Sequence, residues 1–266
     1  MGFNFKKKYG QNFLTDKNLL DSIVSLSGVT KETTVLEIGP GAGALTSAIA
    51  RQADRVVSFE IDHDLEIVLA ENLKEYSNTK IVFKDFMKAS NEEIESEIGT
   101  KDYIVIANLP YYITTPILFR FFEMENKPRS LTIMVQKEYG ERMTANAGDS
   151  EYSSLSVLTH WLGNAKIVKK VPRYMFTPAP KVDSCIVHFV FGENKYDKEI
   201  AAFIRSCFLM RRKTLVNNIS SAFDISKDDA KKILEKNQLN SGVRAEDLSA
   251  EVILKLYEDV KNVLNV

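Results

Sequence analysis

The sequence is poor in the residue types that build disulfide frameworks and metal centres. Its 266 residues include two cysteines, Cys185 and Cys207, and three histidines, His63, His160 and His188. The cysteines lie far apart and form no C-x-x-C, so no metal-ligand cluster can be read from spacing and reduced structural thiols are expected. Neither sign of charge is in excess, with 35 Lys and Arg against 36 Asp and Glu. A polyanion partner would therefore require the cations to be segregated on one face. No apolar run reaches the roughly 20 residues of a membrane span, and the first residues carry no apolar export segment. A cytoplasmic protein is expected. Met1-Gly2 opens a myristoylation pattern, but Lys6 stands where that pattern wants Ser or Thr. Repeats and low-complexity segments are also absent. What is present is 44% hydrophobic residues, enough for one large α/β domain and an appendage.

The strongest local signal is Thr33-Thr34-Val35-Leu36-Glu37-Ile38-Gly39-Pro40-Gly41-Ala42-Gly43, a β-branched strand running into a glycine loop, followed by a helical pattern through Ala50. Glycines there let backbone approach a nucleotide-like ligand. Gly39, Gly41 and Ala44 also satisfy G-x-G-x-x-A, so a dinucleotide site and an S-adenosyl-L-methionine site both remain open on the loop alone; Glu37 and Pro40 favour the second. A second strand, Arg55 to Asp62, holds Glu60 about twenty residues past the glycines, where a carboxylate can take both ribose hydroxyls. Asp62 is the competing acid and could instead cap the helix beginning near His63. A third strand ends in Lys84-Asp85-Phe86, where Asp85 could accept from an adenine amine with Phe86 beside the ring.

The centre of the chain is Asn108-Leu109-Pro110-Tyr111, at the carboxyl end of the apolar run Tyr103–Ala107, where open α/β sheets place their ligands. The Asn108 amide oxygen and the Leu109 carbonyl make a pair of acceptors, and Tyr111 offers a flat ring. Those parts suit a planar group carrying an NH2. Accepting both protons of an exocyclic amine from one side favours a pyramidal nitrogen whose lone pair points outward, towards a methyl donor. Thr115-Pro116 is expected to start the helix that follows.

Two further strands, Ile167–Val171 and Val182–Phe191, complete a sheet of about seven. Between them Pro172, Pro178 and Pro180 restrict a loop in which an exposed Phe176 is expected to cover the target base opposite Tyr111. His188 reads as a packed strand residue. Beyond Gly192 helical periods recur, so 1–192 is expected to be a catalytic domain and 193–266 a small helical one. Lys6, Lys7 and Lys8 lie among aromatics, and Arg211, Arg212 and Lys213 lie on an otherwise apolar helix; both runs suit RNA backbone.

With the glycine loop, Glu60, Asp85 and Asn108-Leu109-Pro110-Tyr111 in that order, the chain resembles the ribosomal RNA adenine N6-dimethyltransferases over nearly its whole length. Gln11-Asn12-Phe13-Leu14 and Phe176-Thr177-Pro178-Ala179-Pro180-Lys181-Val182-Asp183-Ser184 match family motifs at the amino terminus and before the last sheet strand. Arg211-Arg212-Lys213-Thr214-Leu215 with Asn217-Asn218, and Arg244–Ser249, look more like the small-subunit branch than the macrolide-resistance enzymes acting on 23S rRNA. The resemblance implies a Rossmann-like class I methyltransferase sheet with a C-terminal helical domain. It implies S-adenosyl-L-methionine as cofactor and no metal, with cofactor contacts at Asn12, Leu14, Gly39, Gly41, Glu60, Ile61, Asp85, Phe86 and Asn108. Tyr111 and Phe176 correspond to the aromatic pair around a flipped adenine. The implied reaction is dimethylation of two adjacent adenines in a hairpin loop near the 3′ end of 16S rRNA, by a monomer acting on the immature small ribosomal subunit. The alternatives are a macrolide-resistance-type 23S rRNA adenine N6-methyltransferase and an assembly factor working mainly by binding.

Overall fold

Apolar runs of five to seven residues become strands here, and segments with helical spacing pack beside them. The computed structural model describes residues 13, 14 and 16–264. In chain order the elements begin with β1 (Phe13–Leu14) and α1 (Lys17–Leu26), whose N-cap Asp16 accepts from Leu19 N–H at 2.8 Å. They continue with β2 (Thr34–Ile38), α2 (Ala44–Ala50), β3 (Arg55–Glu60), α3 (Glu66–Leu73), β4 (Thr79–Phe83), α4 (Asn91–Ile98), β5 (Tyr103–Asn108), α5 (Thr114–Glu123) and β6 (Ser130–Gln136). Next come α6 (Lys137–Thr144), α7 (Ser154–Leu162), β7 (Gly163–Val171), β8 (Phe176–Thr177) and β9 (Ser184–Phe191). Four helices follow: α8 (Lys198–Cys207), α9 (Leu215–Phe223), α10 (Lys227–Lys236) and α11 (Ala250–Leu264).

Seven strands form one mixed sheet in the order β4-β3-β2-β5-β6-β9-β7. The strands from β4 to β6 run parallel, and β9 lies antiparallel to β6. β2 is buried at every position, as a strand covered by helices on both faces must be. Strand order reverses between β2 and β5, which opens a crevice at their carboxyl ends. Separately, β1 and β8 form a short antiparallel ribbon, with Leu14 opposite Phe176. The helix after the central tetrapeptide begins two residues earlier than Thr115 as N-cap and Pro116 as first helical residue suggest. A 3-10 turn, Tyr111–Ile113, leads straight into Thr114, whose hydroxyl donates to the Pro110 carbonyl at 3.3 Å.

The chain divides into two compact units, one running to Gly140 and resuming at Ala165–Phe191, the other made of Glu141–Asn164 and Gly192–Val266. The expected range 1–192 thus includes a stretch, Glu141–Asn164, that groups with the helical unit. The reason is α7, which buries Leu155, Val157, Leu158, Trp161 and Leu162; a helix apolar on so many sides needs helices around it, and α8 and α11 supply them. Within that unit Tyr152 donates its hydroxyl to the Leu248 carbonyl at 2.9 Å, and Phe203 packs on Tyr257 at 5.6 Å between ring centroids.

Candidate active site

The glycine loop after β2 holds three residues in the left-handed region, Gly39 at φ 71°, Gly41 at φ 57° and Gly43 at φ 84°. A side chain costs free energy in that region. The Gly39 N–H donates to the Phe59 carbonyl and the Gly43 N–H to the Pro40 carbonyl, both at 2.9 Å. Glu60, buried at the end of β3, closes the loop: its carboxylate accepts from Gly41 N–H at 3.2 Å and from Asp62 N–H at 2.8 Å. Burial raises the pKa of Glu60, and these backbone donors oppose the rise. Asp62 instead caps the 3-10 turn His63–Leu65.

Behind the loop, Glu37 is fully buried. One carboxylate oxygen accepts from the hydroxyls of Thr46 and Ser58, each at 2.7 Å, while its Oε1 has no hydrogen-bond partner. Burial pushes this carboxyl up to about 7. It therefore joins β2, α2 and β3 as a group that keeps its proton below about pH 7.

Beyond β4, the Asp85 carboxylate accepts from Met87 N–H at 2.9 Å, which shapes the turn. Phe86 is buried edge-on against Phe59 at 5.6 Å. Arg120 of α5, a residue that no sequence motif singles out, lies 4.9 Å from the Phe86 ring centroid and donates to the Ala89 carbonyl. Its pKa is lowered by burial, against the field of Asp85. A lone cation in the apolar run of α5 was the available signal.

Asn108 closes β5, paired in register with Met134 of β6, and is half-buried. Leu109 is buried. Tyr111 shares a hydrogen bond of 2.7 Å with Ser184 of β9, and burial raises its phenol pKa. Gly39, Gly41, Glu60, Ile61, Asp85, Phe86, Asn108, Leu109, Pro110, Tyr111 and Phe176 all line one cleft. Leu20, Lys84, Met87 and Tyr112 line it as well, and sequence spacing gave no sign of them.

Three expectations need correction or fall outside the described residues. Phe176 is not exposed; at 4% accessibility it belongs to the core cluster with Val171, Met134 and Ile186, because backbone pairing with Leu14 turns its side chain inward. Arg211, Arg212 and Lys213 are not on a helix but in the turn between α8 and α9. Buried Asn218 makes that turn: its Nδ2 donates to the Cys207 carbonyl at 2.9 Å and its Oδ1 accepts from Met210 N–H at 3.0 Å. Arg211 is further tied to Glu246 and to the Ser150 carbonyl. Lys6, Lys7, Lys8 and Asn12 lie outside the described residues, as does the side chain of Leu14. His188 bonds Thr132 at 2.9 Å within the sheet. Among the described residues no group of three His, Cys, Asp or Glu could hold a metal, and no helix is long and apolar enough to cross a membrane.

The cleft's chemistry suits a nucleoside joined to an amino acid. A Cβ built on Gly39 would meet nothing within 4 Å, so the glycine leaves backbone open to a ligand. Glu60 and Asp85 supply acceptors for hydroxyls and an amine, and Ile61 and Phe86 supply apolar walls. These residues fit S-adenosyl-L-methionine.

Sheet order, glycine loop and cleft together define a Rossmann-like methyltransferase fold. The chain belongs to the ribosomal RNA adenine dimethylase family, whose model matches residues 2–262. It is 39% identical over 274 residues to the ribosomal RNA small subunit methyltransferase A of Bacillus licheniformis, covering 99% of this chain and 94% of that protein. It is 42% identical over 260 residues to the protein of the same name from Bacillus thuringiensis, covering 94% and 89%. Among solved structures, a dimethyladenosine transferase from Plasmodium falciparum superposes with a TM-score of 0.79 at 26% identity, covering 96% of this chain and 98% of that one. The 23S rRNA methyltransferase ErmE superposes with a TM-score of 0.73 at 26% identity, covering 94% and 100%. The dinucleotide reading of the glycine loop gives way to the methyltransferase one.

Proposed function

We propose that this chain dimethylates N6 of adenine in 16S rRNA, acting in the cytoplasm on two adjacent adenines of a hairpin loop in the maturing small ribosomal subunit. The observation that carries the reading is that the loop Asn108–Tyr111 and the carboxylates of Glu60 and Asp85 line the same cleft. An amine-binding corner and a nucleoside-binding corner thus face one space.

S-adenosyl-L-methionine, when bound, supplies an activated methyl group on a sulfonium. The glycine loop, Glu60, Ile61, Asp85 and Phe86 would hold it, with Asn108 shared between cofactor and target. The target adenine leaves its stack, at least cost from an unpaired loop, and lies against Tyr111. The Asn108 amide oxygen and the Leu109 carbonyl accept the N6 protons, which draws the nitrogen out of the ring plane and frees its lone pair. No side chain needs to act as a strong base, since the proton can depart after transfer. The chain's contribution is positioning and fixed dipoles. For the second methyl, one N–H remains to be held, so the corner beside Asn108 must admit one methyl group. Phe176 forms an apolar wall of the cleft.

The helical unit, with Arg212 and Lys213 exposed in the α8–α9 turn, contributes to rRNA binding, and the enzyme works as a monomer. Mapping of modified adenines by mass spectrometry tests the reading. Small subunits from cells lacking the protein should lack N6-dimethyladenine at two adjacent positions, and purified protein with S-adenosyl-L-methionine should restore them. Full methylation in the deletion strain would overturn it.

A further inference from the structure

Cations are unevenly spread along the catalytic unit. Between Ala165 and Val182 the sequence places Lys166, Lys169, Lys170, Arg173 and Lys181 and no acid, in a chain whose net charge is -1. Three of them lie on β7, an edge strand of the sheet, and two lie on the loop that carries Phe176. Lys169 is engaged, donating to the Ser22 hydroxyl at 2.8 Å. Lys166, Lys170 and Lys181 are exposed and have no carboxylate partner among the described residues.

Off the strand, the loop is braced. The Arg173 guanidinium donates to the Lys181 carbonyl at 3.2 Å, and the Arg173 N–H donates to Asp183 at 3.0 Å. The Arg173 guanidinium is thereby held against the backbone of Lys181, with Tyr174, 79% exposed, beside Arg173. Lysines on an edge strand have a plainer use, which is to block pairing with another sheet. That accounts for Lys166 and Lys170. It does not account for Arg173 and Lys181, which lie beyond the strand, nor for an exposed ring among them. Unpaired like charges concentrate positive potential and attract a polyanion; cations interleaved with a ring suit RNA, whose phosphates they neutralise while a base stacks.

We propose that β7 and the Arg173–Lys181 loop form a track for the RNA backbone flanking the target adenine. Lys166, Lys170, Arg173 and Lys181 neutralise phosphates, and Tyr174 takes the face of an unpaired base. The track leads to the cleft because Phe176, on the same loop, lines it. This inference rests on the rRNA-substrate reading and adds a surface of the catalytic unit to it.

The test compares the full-length protein with a Lys166→Gln/Lys170→Gln/Lys181→Gln variant and with Tyr174→Ala, using undermethylated small ribosomal subunits as the probe. Binding is measured across a salt series, KM and kcat separately, and S-adenosyl-L-methionine affinity by calorimetry. In the triple variant the slope of log K against log salt should fall by about 2 to 3, at roughly 0.7–0.9 for each phosphate no longer neutralised. KM should rise with kcat and cofactor affinity unchanged. Tyr174→Ala should weaken binding by roughly tenfold without changing the slope. An unchanged slope in a triple variant that still methylates overturns the track and leaves Lys166 and Lys170 as edge protection. If the unaltered protein methylates no adenine on these particles, the substrate reading fails and the track with it.

Discussion

The hydroxyls of Tyr111 and Ser184 lie 2.7 Å apart, joining the loop after β5 to the first residue of β9. Ser184 is fully buried, so the bond fixes a ring at the cleft to the antiparallel strand of the sheet. The aromatic surface proposed for the target base is therefore held by a strand far away in sequence.

Tyr111→Phe should keep the ring and orphan a buried hydroxyl. A stability loss of about 1–3 kcal/mol is expected in denaturant unfolding, with methyl transfer retained within a few-fold. The double variant Tyr111→Phe/Ser184→Ala should recover most of that loss, because both polar partners are gone. If it is no more stable than the single variant, the bond is not what Ser184 contributes.

Glu37 predicts a pH dependence of stability. Its carboxyl is raised from 4.5 to about 7 by burial, so the folded state holds a proton that the unfolded state has released. Stability from this group is fully present below about 4.5 and is lost as pH rises through about 7. The loss is roughly 3 kcal/mol, from about 1.4 kcal/mol for each pH unit between the two values. Glu37→Gln removes the titration, so the variant's melting temperature should fall less than the parent's between pH 5 and pH 8. Parallel curves would show that Glu37 is already charged across that range.

The two outer glycines of the loop should separate stability from ligand binding. Gly43, at φ 84°, would place a Cβ 3.2 Å from Leu69 Cδ2 and 3.3 Å from Leu73 Cδ2. Gly43→Ala should therefore lower stability by roughly 1–3 kcal/mol, through left-handed strain and crowding. Gly39, at φ 71°, has nothing within 4 Å of its Cβ position. Gly39→Ala should cost about 1 kcal/mol of stability while weakening S-adenosyl-L-methionine binding well beyond the loss seen with Gly43→Ala. Thermal melts beside calorimetric titration distinguish the two, and equal binding losses would contradict an open cradle at Gly39.

The parts of this site that were legible in the sequence are those set by local pattern. Val35-Leu36-Glu37-Ile38 before glycines has few structures other than a buried strand and a turn, and Glu60 and Asn108 follow from counting strands. Phe176 was misjudged because its burial depends on a backbone pairing with Leu14, far earlier in the chain, which no local composition signals. The turn holding Arg211–Lys213 was hidden for a similar reason: helix periodicity continues through it, and the buried amide of Asn218 that bonds its backbone comes from the following helix. Arg120 and Ser184 act through residues on other strands and helices, so their roles are visible only once the sheet order is known.

Asn108 carries the sharpest prediction. It closes β5 beside β2, where the strand order reverses, and lines the cleft with Glu60 and Asp85. If its amide oxygen polarises the target amine, Asn108→Ala should lower kcat roughly 100-fold or more, the scale of losing one preorganised polar group. Binding to the small subunit should persist, because the cations proposed to meet phosphate are untouched. If Asn108 also contacts the cofactor, as proposed, affinity for S-adenosyl-L-methionine should fall modestly. This pattern also separates catalysis from assembly binding in cells: a strain carrying Asn108→Ala should lack N6-dimethyladenine while its protein still associates with maturing subunits. A variant that methylates within a few-fold of the parent would remove Asn108 from the chemistry and leave Tyr111 and the cleft walls to position the base alone.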